Sequence, residues 1–153
     1  MFGGVALPLQ QFSAVQVVQH GLIRRVHTRN GSPEVQFLAR DAERFLPVFH
    51  GLELQIVRWG NRDNSQLPKT LWTLQATIDA GAWATAGAEE VVIPASMGFD
   101  SGIWFAITQG IRGLLVPDEK GEKRVYVICE EASPYYGVMT KSAWMPALVD
   151  QQL

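Results

Sequence analysis

Cysteine is almost absent from this chain of 153 residues, which carries a single thiol at Cys129. One cysteine excludes an intramolecular disulfide and a cysteine-based zinc cluster. This sparing use of cysteine fits a reducing cytoplasm, which is the location that we expect. Because Cys129 ends an apolar, β-branched run over residues 125–129, we predict that its side chain is buried in a strand.

Long apolar runs and the common catalytic motifs are also missing. No stretch reaches the roughly 20 apolar residues that a helix needs to cross a bilayer, and residues 1–20 lack the pattern of a secretory signal. There is no Gly-x-Ser-x-Gly elbow and no glycine-rich loop for nucleotide phosphates. His20, His27 and His50 are widely spaced, and Arg24 and Arg25 between the first two would repel a cation. We therefore expect no membrane span, no metal and no cofactor.

Charge is modest, and its distribution limits the partners that the chain can bind. A charged fraction of 18% beside an apolar fraction of 47% is typical of a folded chain, and the length suits one domain over residues 1–153. The net charge of -2 argues against a broad, unselective nucleic-acid surface. Arg24, Arg25, His27 and Arg29 form the most basic stretch and are our nucleic-acid-binding candidates, although a solvated basic strand is the better explanation of them.

What the sequence does contain is a series of short strand patterns separated by glycine and proline. The clearest are residues 52–58, 89–94 and 124–129, which alternate or are rich in β-branched side chains. We predict a turn at residues 30–33, where Pro33 would end strand pairing, and a terminal turn or helix at residues 142–151. Strands outnumber helices, so we predict an α+β fold: a β-rich curved sheet or partly open barrel with a few short helices.

Five short motifs occur in a recognisable order along the chain. They are Met-Phe-Gly-Gly at residues 1–4, Asn-Gly-Ser-Pro at 30–33, Arg-Trp-Gly at 58–60, Ile-Pro-Ala-Ser-Met-Gly-Phe at 93–99 and Ser-Ala-Trp-Met-Pro at 142–146. This order resembles the SRAP family, the SOS-response-associated peptidases, which include sensors of abasic sites in single-stranded DNA. The resemblance implies a β-rich fold with a groove for single-stranded DNA and a role in the response to DNA damage.

The residues that react in that family are changed here. The family nucleophile, a cysteine that links covalently to the abasic sugar, falls on Phe2, and the arginine that follows its glycine falls on Gly4. The family asparagine falls near Trp72, and the family histidine falls on Ser142. Since a phenyl ring has no nucleophilic atom, the resemblance implies a domain that has lost covalent crosslinking and that binds single-stranded DNA non-covalently, if at all.

One acid position retains its chemistry. The family glutamate falls near Asp100 or Ser101, so Asp100 is the single candidate catalytic group, with a turn-forming aspartate as the alternative explanation. From the resemblance we also expect residues 1–4 to pack against residues 93–100, with Phe2 filling the former site. The groove-lining candidates are Phe2, Trp72, Phe99, Ser142 and Trp144.

Two other functions fit the sequence. The first is a small β-rich protein-interaction module of phage or mobile-element origin that assembles with protein partners and binds no DNA. The second is an enzyme of another class that uses Asp100 with Ser142 or Thr140, but no complete catalytic constellation supports it. A positive groove beside Phe2 and Trp144 would favour DNA, whereas a flat apolar patch would favour a protein partner.

Overall fold

A computed structural model describes residues 1–153. It contains twelve strands and three short helices in a β-rich α+β arrangement, as the sequence predicts. In chain order these are β1 (Phe2–Pro8), α1 (Ala14–Gln19), β2 (Val26–Arg29), β3 (Ser32–Leu38), β4 (Phe45–His50), β5 (Glu53–Trp59), β6 (Trp72–Leu74), α2 (Gln75–Asp79), β7 (Glu89–Ile93), β8 (Met97–Asp100), β9 (Ile103–Ala106), β10 (Ile111–Pro117), β11 (Lys123–Glu131), α3 (Pro134–Thr140) and β12 (Trp144–Pro146). Short 3₁₀ turns lie at Leu9–Gln11 and Leu22–Arg25.

Five strands form a closed barrel. They follow the order β10-β7-β4-β5-β11, and antiparallel pairing between β10 and β11 closes the ring. The β10–β11 hairpin turns at Gly121, whose φ of 81° lies in the left-handed region, which glycine adopts without strain. β11 pairs in parallel with β5 near Arg124 and with β6 near Ile128. The short strand β12 pairs in antiparallel orientation with the last residues of β11. The barrel is therefore closed rather than partly open.

The remaining five strands form an open sheet in the order β2-β3-β1-β8-β9. Two-residue turns link its hairpins: Asn30-Gly31 has φ angles of 51° and 80°, and Ser101-Gly102 has 51° and 83°. Positive φ at both central residues matches the right-handed twist of the flanking strands. The turn predicted at residues 30–33 is present, but Pro33 does not end pairing, because it lies inside β3 opposite Thr28.

One apolar core joins the barrel to the inner face of the open sheet. Val5, Val35 and Phe37 from the sheet and Leu46 and Ile111 from the barrel are all fully buried within it. A smaller cluster lies outside the barrel wall, where Trp83 packs against Tyr126 with ring centroids 5.0 Å apart. The protein thus has two apolar clusters, and the larger one lies between the barrel and the open sheet.

The last segment differs from the sequence expectation. Residues 142–151 contain the short strand β12 instead of a helix, because Trp144, Met145 and Pro146 pair with the end of β11. Strand pairing with a distant partner overrides the local turn signal there. No helix in the structure combines the length and apolar character needed to cross a bilayer.

Candidate functional site

The site lies where the first strand meets β8. Phe2 is in register with Asp100, and Gly4 is in register with Phe99, with a bulge between the two pairs. β1 is a central strand of the open sheet, held by β3 on its other side. The expected approach of residues 1–4 to residues 93–100 is therefore present, and it brings one end of β1 to the segment between α3 and β12.

The carboxylate of Asp100 is the centre of this site. Its side chain is fully buried, with no solvent exposure. Ser142 Oγ and Ser101 Oγ each donate a hydrogen bond of 2.7 Å to Oδ1, and the hydroxyl of Tyr136 donates one of 2.6 Å to Oδ2. A buried carboxylate is tolerated only when its oxygens are satisfied in this way. Asp100 precedes the Ser101-Gly102 turn, but its carboxylate points into the protein rather than forming the turn.

The amino group of Met1 supplies the opposite charge. Its nitrogen lies 3.4 Å from Asp100 Oδ1 and donates a hydrogen bond of 3.2 Å to Ser142 Oγ. The chain thus brings a cation, a hydroxyl and a carboxylate together across 141 positions of sequence. Such an ion pair offsets part of the desolvation of the buried carboxylate.

Tyr136 is a member of the site that the sequence analysis did not identify. It lies in α3, which begins at Pro134 and is capped by Ser133 Oγ, the acceptor from Tyr136 N at 3.1 Å. Tyr135 is exposed, but the ring of Tyr136 is fully buried. Burial and the neighbouring Asp100 raise the pKa of Tyr136 far above its usual range. The hydroxyl therefore stays protonated and acts as a fixed donor. The Ser-Pro pair at 133–134 is the sequence signal that predicts the helix start.

Phe2 closes the cluster on its apolar side. Only 1% of its surface is exposed, and its ring centroid lies 6.4 Å from that of Phe105. Trp72 donates from Nε1 to the carbonyl oxygen of Phe2 at 2.9 Å, which fixes the backbone of the first strand. Two large aromatic residues thus hold the start of β1, Phe2 by packing and Trp72 by binding the backbone.

The single thiol of the chain is not placed to act as a nucleophile. Cys129 lies in β11 with no solvent exposure, as the sequence predicts. Burial, together with the negative charge of Asp100, raises the pKa of Cys129 to about 12. At neutral pH the sulfur is a protonated thiol inside the core, and a thiol in that state is a poor nucleophile.

The geometry suits a structural role better than a catalytic one. We call the cluster of Met1, Asp100, Tyr136 and Ser142 the clamp, because its contacts tie distant segments together. Ser142 Oγ donates directly to Asp100, with no imidazole between them to take its proton. Ser142 is itself buried, and its backbone N–H is bound by Thr140 Oγ1 at 3.2 Å. Thr140 in turn donates from Oγ1 to the carbonyl oxygen of Tyr136 at 2.8 Å, so it serves α3 and its end rather than a reacting group.

Two of the expected groove residues lie elsewhere. Phe99 alternates with Asp100 along β8, so its ring lies on the opposite face of the sheet and packs at a tilt of 44° against Trp104, with centroids 4.7 Å apart. Trp144 lies in β12 with 38% of its surface exposed. The structure therefore brings Phe2, Trp72 and Asp100 together with Ser142, and leaves Phe99 in a second, aromatic surface.

The aromatic surface is flanked by guanidinium groups. Arg29 lies 4.7 Å from the centre of the Trp104 ring, and Arg40 lies 5.9 Å from that of Phe99. Arg29 and Trp104 come from β2 and β9, the two outer strands of the open sheet, so the sheet curls enough for a side chain to reach from one edge to the other. Arg29 is also paired with Glu34 at 2.7 Å, which neutralises its charge locally.

The basic stretch predicted from sequence does not form one free cationic face. Arg25 is bound to Asp41 at 2.7 Å, and Arg29 is bound to Glu34 through two nitrogens. Arg24 and His27 are exposed. Two of the four candidates thus carry charges that carboxylates already neutralise, which leaves less positive potential than the sequence count implies.

The structure contains no group of three or more histidine, cysteine, aspartate or glutamate side chains placed to hold a metal ion. Comparison of the chain with protein-family models, with curated proteins and with solved structures finds no match. The resemblance to the SRAP family therefore stays a prediction that depends on the motif order.

We expect Phe2→Ala to destabilise the protein by about 3–5 kcal/mol, because the truncation removes a fully buried ring and leaves a cavity beside Phe105. Urea unfolding measures the difference. Phe49→Ala is the matched control, since Phe49 is a strand residue with 38% of its surface exposed and should lose far less. Equal losses for the two variants would show that Phe2 does not fill the site.

We expect Asp100→Asn to lower the free energy of unfolding by about 2–4 kcal/mol, because an amide cannot replace a carboxylate that accepts from Tyr136 and two serines and faces an ammonium group. Asp150→Asn makes the same chemical change at an exposed position and should leave the urea midpoint unchanged. An Asn variant as stable as the parent would contradict the clamp.

Proposed function

We propose that this protein is a SRAP-like domain that has lost covalent crosslinking and binds single-stranded DNA non-covalently. The observation that carries the proposal is the meeting of Met1, Phe2, Trp72, Asp100 and Ser142 at one site. These positions are far apart in sequence, and the resemblance to the SRAP family implies that they converge. Composition alone gives no reason for the start of the chain to lie against residue 142.

The loss of crosslinking follows from the side chains at that site. Phe2 supplies no nucleophile, and Cys129 is a buried, protonated thiol. The amino group of Met1 is held against Asp100 and Ser142, so it is committed to the clamp. With Phe2 and Tyr136 packed around the carboxylate, there is no room for a sugar to reach it.

A non-covalent role is supported by the aromatic surface on the other face of the sheet. Phe99 and Trp104 are partly exposed, in contact with each other, and flanked by Arg29 and Arg40. Aromatic rings beside guanidinium groups are the usual means by which proteins hold unpaired bases without reading their sequence. Arg29 is paired with Glu34, whereas Arg40 has no carboxylate partner. We therefore expect few contacts to the phosphates of the DNA.

We expect no covalent adduct when the protein is incubated with an oligonucleotide that contains an abasic site. The family nucleophile position is Phe2, and the only thiol is buried with its pKa at about 12. Denaturing electrophoresis shows an adduct as a shifted band. A shifted band would reject the assignment of a lost activity, and its disappearance in Cys129→Ser would then identify the reacting atom.

We expect weak binding of a single-stranded oligonucleotide with a shallow dependence on salt, and an affinity about tenfold lower in Trp104→Ala, because stacking on one base is lost. Fluorescence anisotropy at several salt concentrations measures both. Phe49→Ala, an exposed aromatic position on the barrel, is the control and should bind like the parent. Tight, steeply salt-dependent binding, or equal affinities for the three proteins, would exclude the aromatic surface as the site.

A protein-interaction role is the second candidate, and one observation favours it. Val15 and Val18 lie three residues apart on α1 and expose most of their surface, as does Ile23 in the following turn. Apolar side chains grouped on an exposed helix are typical of a surface that contacts another protein. No binding of any oligonucleotide, together with an unaltered fold, would favour this role over DNA binding.

A further inference from the structure

Four arginine side chains meet in one pocket that the DNA-binding proposal does not use. The pocket has a volume of about 260 Å³ and is lined by Arg44, Arg58, Arg62 and Arg124, with Glu43 and Asp63 as its acidic residues. The arginines come from the same end of three adjacent strands, because Arg58 in β5 is in register with both Phe45 in β4 and Arg124 in β11.

Two of these arginines are neutralised by carboxylates. Arg124 is buried and bound to Asp118 at 3.1 Å and to both oxygens of Asp63 at 3.0 and 3.1 Å. Arg58 is bound to Glu122 at 2.6 Å. These pairs hold the wall of the pocket in place, and none of them includes Arg44 or Arg62.

Arg44 and Arg62 have no carboxylate partner. None of the ion pairs in the structure includes either side chain. Arg62 donates to backbone carbonyls, Asp41 O at 3.1 Å and Ala42 O at 3.2 Å, which fixes the position of its guanidinium. Nε of Arg44 is buried and has no hydrogen-bond partner.

Two neighbouring guanidinium groups without a carboxylate partner repel each other, and an anion bound between them relieves that repulsion. Burial and the positive charge of Arg62 both lower the pKa of Arg44, which shows that the arrangement opposes its charge. Guanidinium groups present planar pairs of donors that match the oxygens of a phosphate. Several guanidinium groups around one small pocket suit an anion with three or four acceptor oxygens better than a carboxylate with two.

We propose that this pocket binds a phosphate group, held by Arg44 and Arg62 and bordered by the ion-paired Arg58 and Arg124. The phosphate is either a free or terminal phosphate or a phosphodiester of a nucleic-acid backbone, since both offer the same oxygens. The proposal does not depend on the aromatic surface binding DNA, because inorganic phosphate tests it alone.

The carboxylate of Glu43 makes the proposal specific. Glu43 is one of the residues that line the pocket and it has no ion-pair partner, so its negative charge opposes the binding of an anion there. Replacing it by glutamine should therefore strengthen phosphate binding, whereas replacing Arg44 or Arg62 should weaken it. A surface that attracted phosphate only through general charge would not distinguish these positions from other exposed arginines.

The experiment titrates the intact protein with inorganic phosphate, pyrophosphate and a short single-stranded oligonucleotide, and follows binding by calorimetry and by the ¹H–¹⁵N signal of Arg44 Nε. We expect Arg44→Gln and Arg62→Gln each to weaken phosphate binding by about tenfold. Glu43→Gln should strengthen it by about two- to fivefold. Lys69→Gln removes the same charge at an exposed position outside the pocket and should bind like the parent.

The three ligands distinguish the possible sources of the phosphate. Binding of inorganic phosphate or pyrophosphate that weakens in Arg44→Gln identifies a site for free or terminal phosphate. Binding of the oligonucleotide alone, lost when a methylphosphonate backbone removes its charge, identifies a phosphodiester site. If the Arg44 signal of the parent protein does not shift with any of the three ligands, or if Lys69→Gln weakens binding as much as Arg44→Gln, the proposal is wrong. Because the shift is measured on the unaltered protein, a variant that fails to fold does not prevent the test.

Discussion

The buried carboxylate of Asp100 is the interaction on which the two halves of this protein depend. It lies at the end of β8, forms an ion pair with the amino group of Met1, and accepts hydrogen bonds from α3 and from the segment that leads into β12. A charged group without solvent contact is destabilising unless each oxygen has a partner. The elements that supply those partners are therefore fixed relative to the open sheet, and through β12 they are fixed relative to β11 and the barrel.

The same requirement explains why Asp100 is not placed to act as a catalytic group. Every donor around Asp100 is already committed, and the apolar side of the cluster is filled by Phe2. A catalytic carboxylate needs access to substrate and a partner whose proton can move. Here the hydroxyl of Tyr136 is held protonated by burial, and no histidine is present at the site. Stability and reactivity are alternatives at such a position, and this chain has the arrangement that favours stability.

The sequence predicted the parts of the structure that local pattern controls. The strand over residues 124–129, the burial of Cys129 and the turn at Asn30-Gly31 follow from β-branched runs and from residues that tolerate positive φ. Motif order predicted the contact between Phe2 and residue 100. Tyr136 was missed because its role requires α3 to dock beside β8, and nothing in the local sequence specifies that docking. β12 was missed because a three-residue strand exists only through its partner.

The open sheet has a further consequence for how the protein behaves among other copies of itself. Its two outer strands, β2 and β9, are only four residues long, and Arg29 of one lies over Trp104 of the other. Unpaired strand edges are where separate chains add to each other's sheets, and proteins limit this by keeping such edges short and placing charge on them. The curvature that brings Arg29 to Trp104 leaves the sheet open in topology but with little flat edge exposed. The sheet should therefore resist edge-to-edge aggregation, although it is not closed as the barrel is.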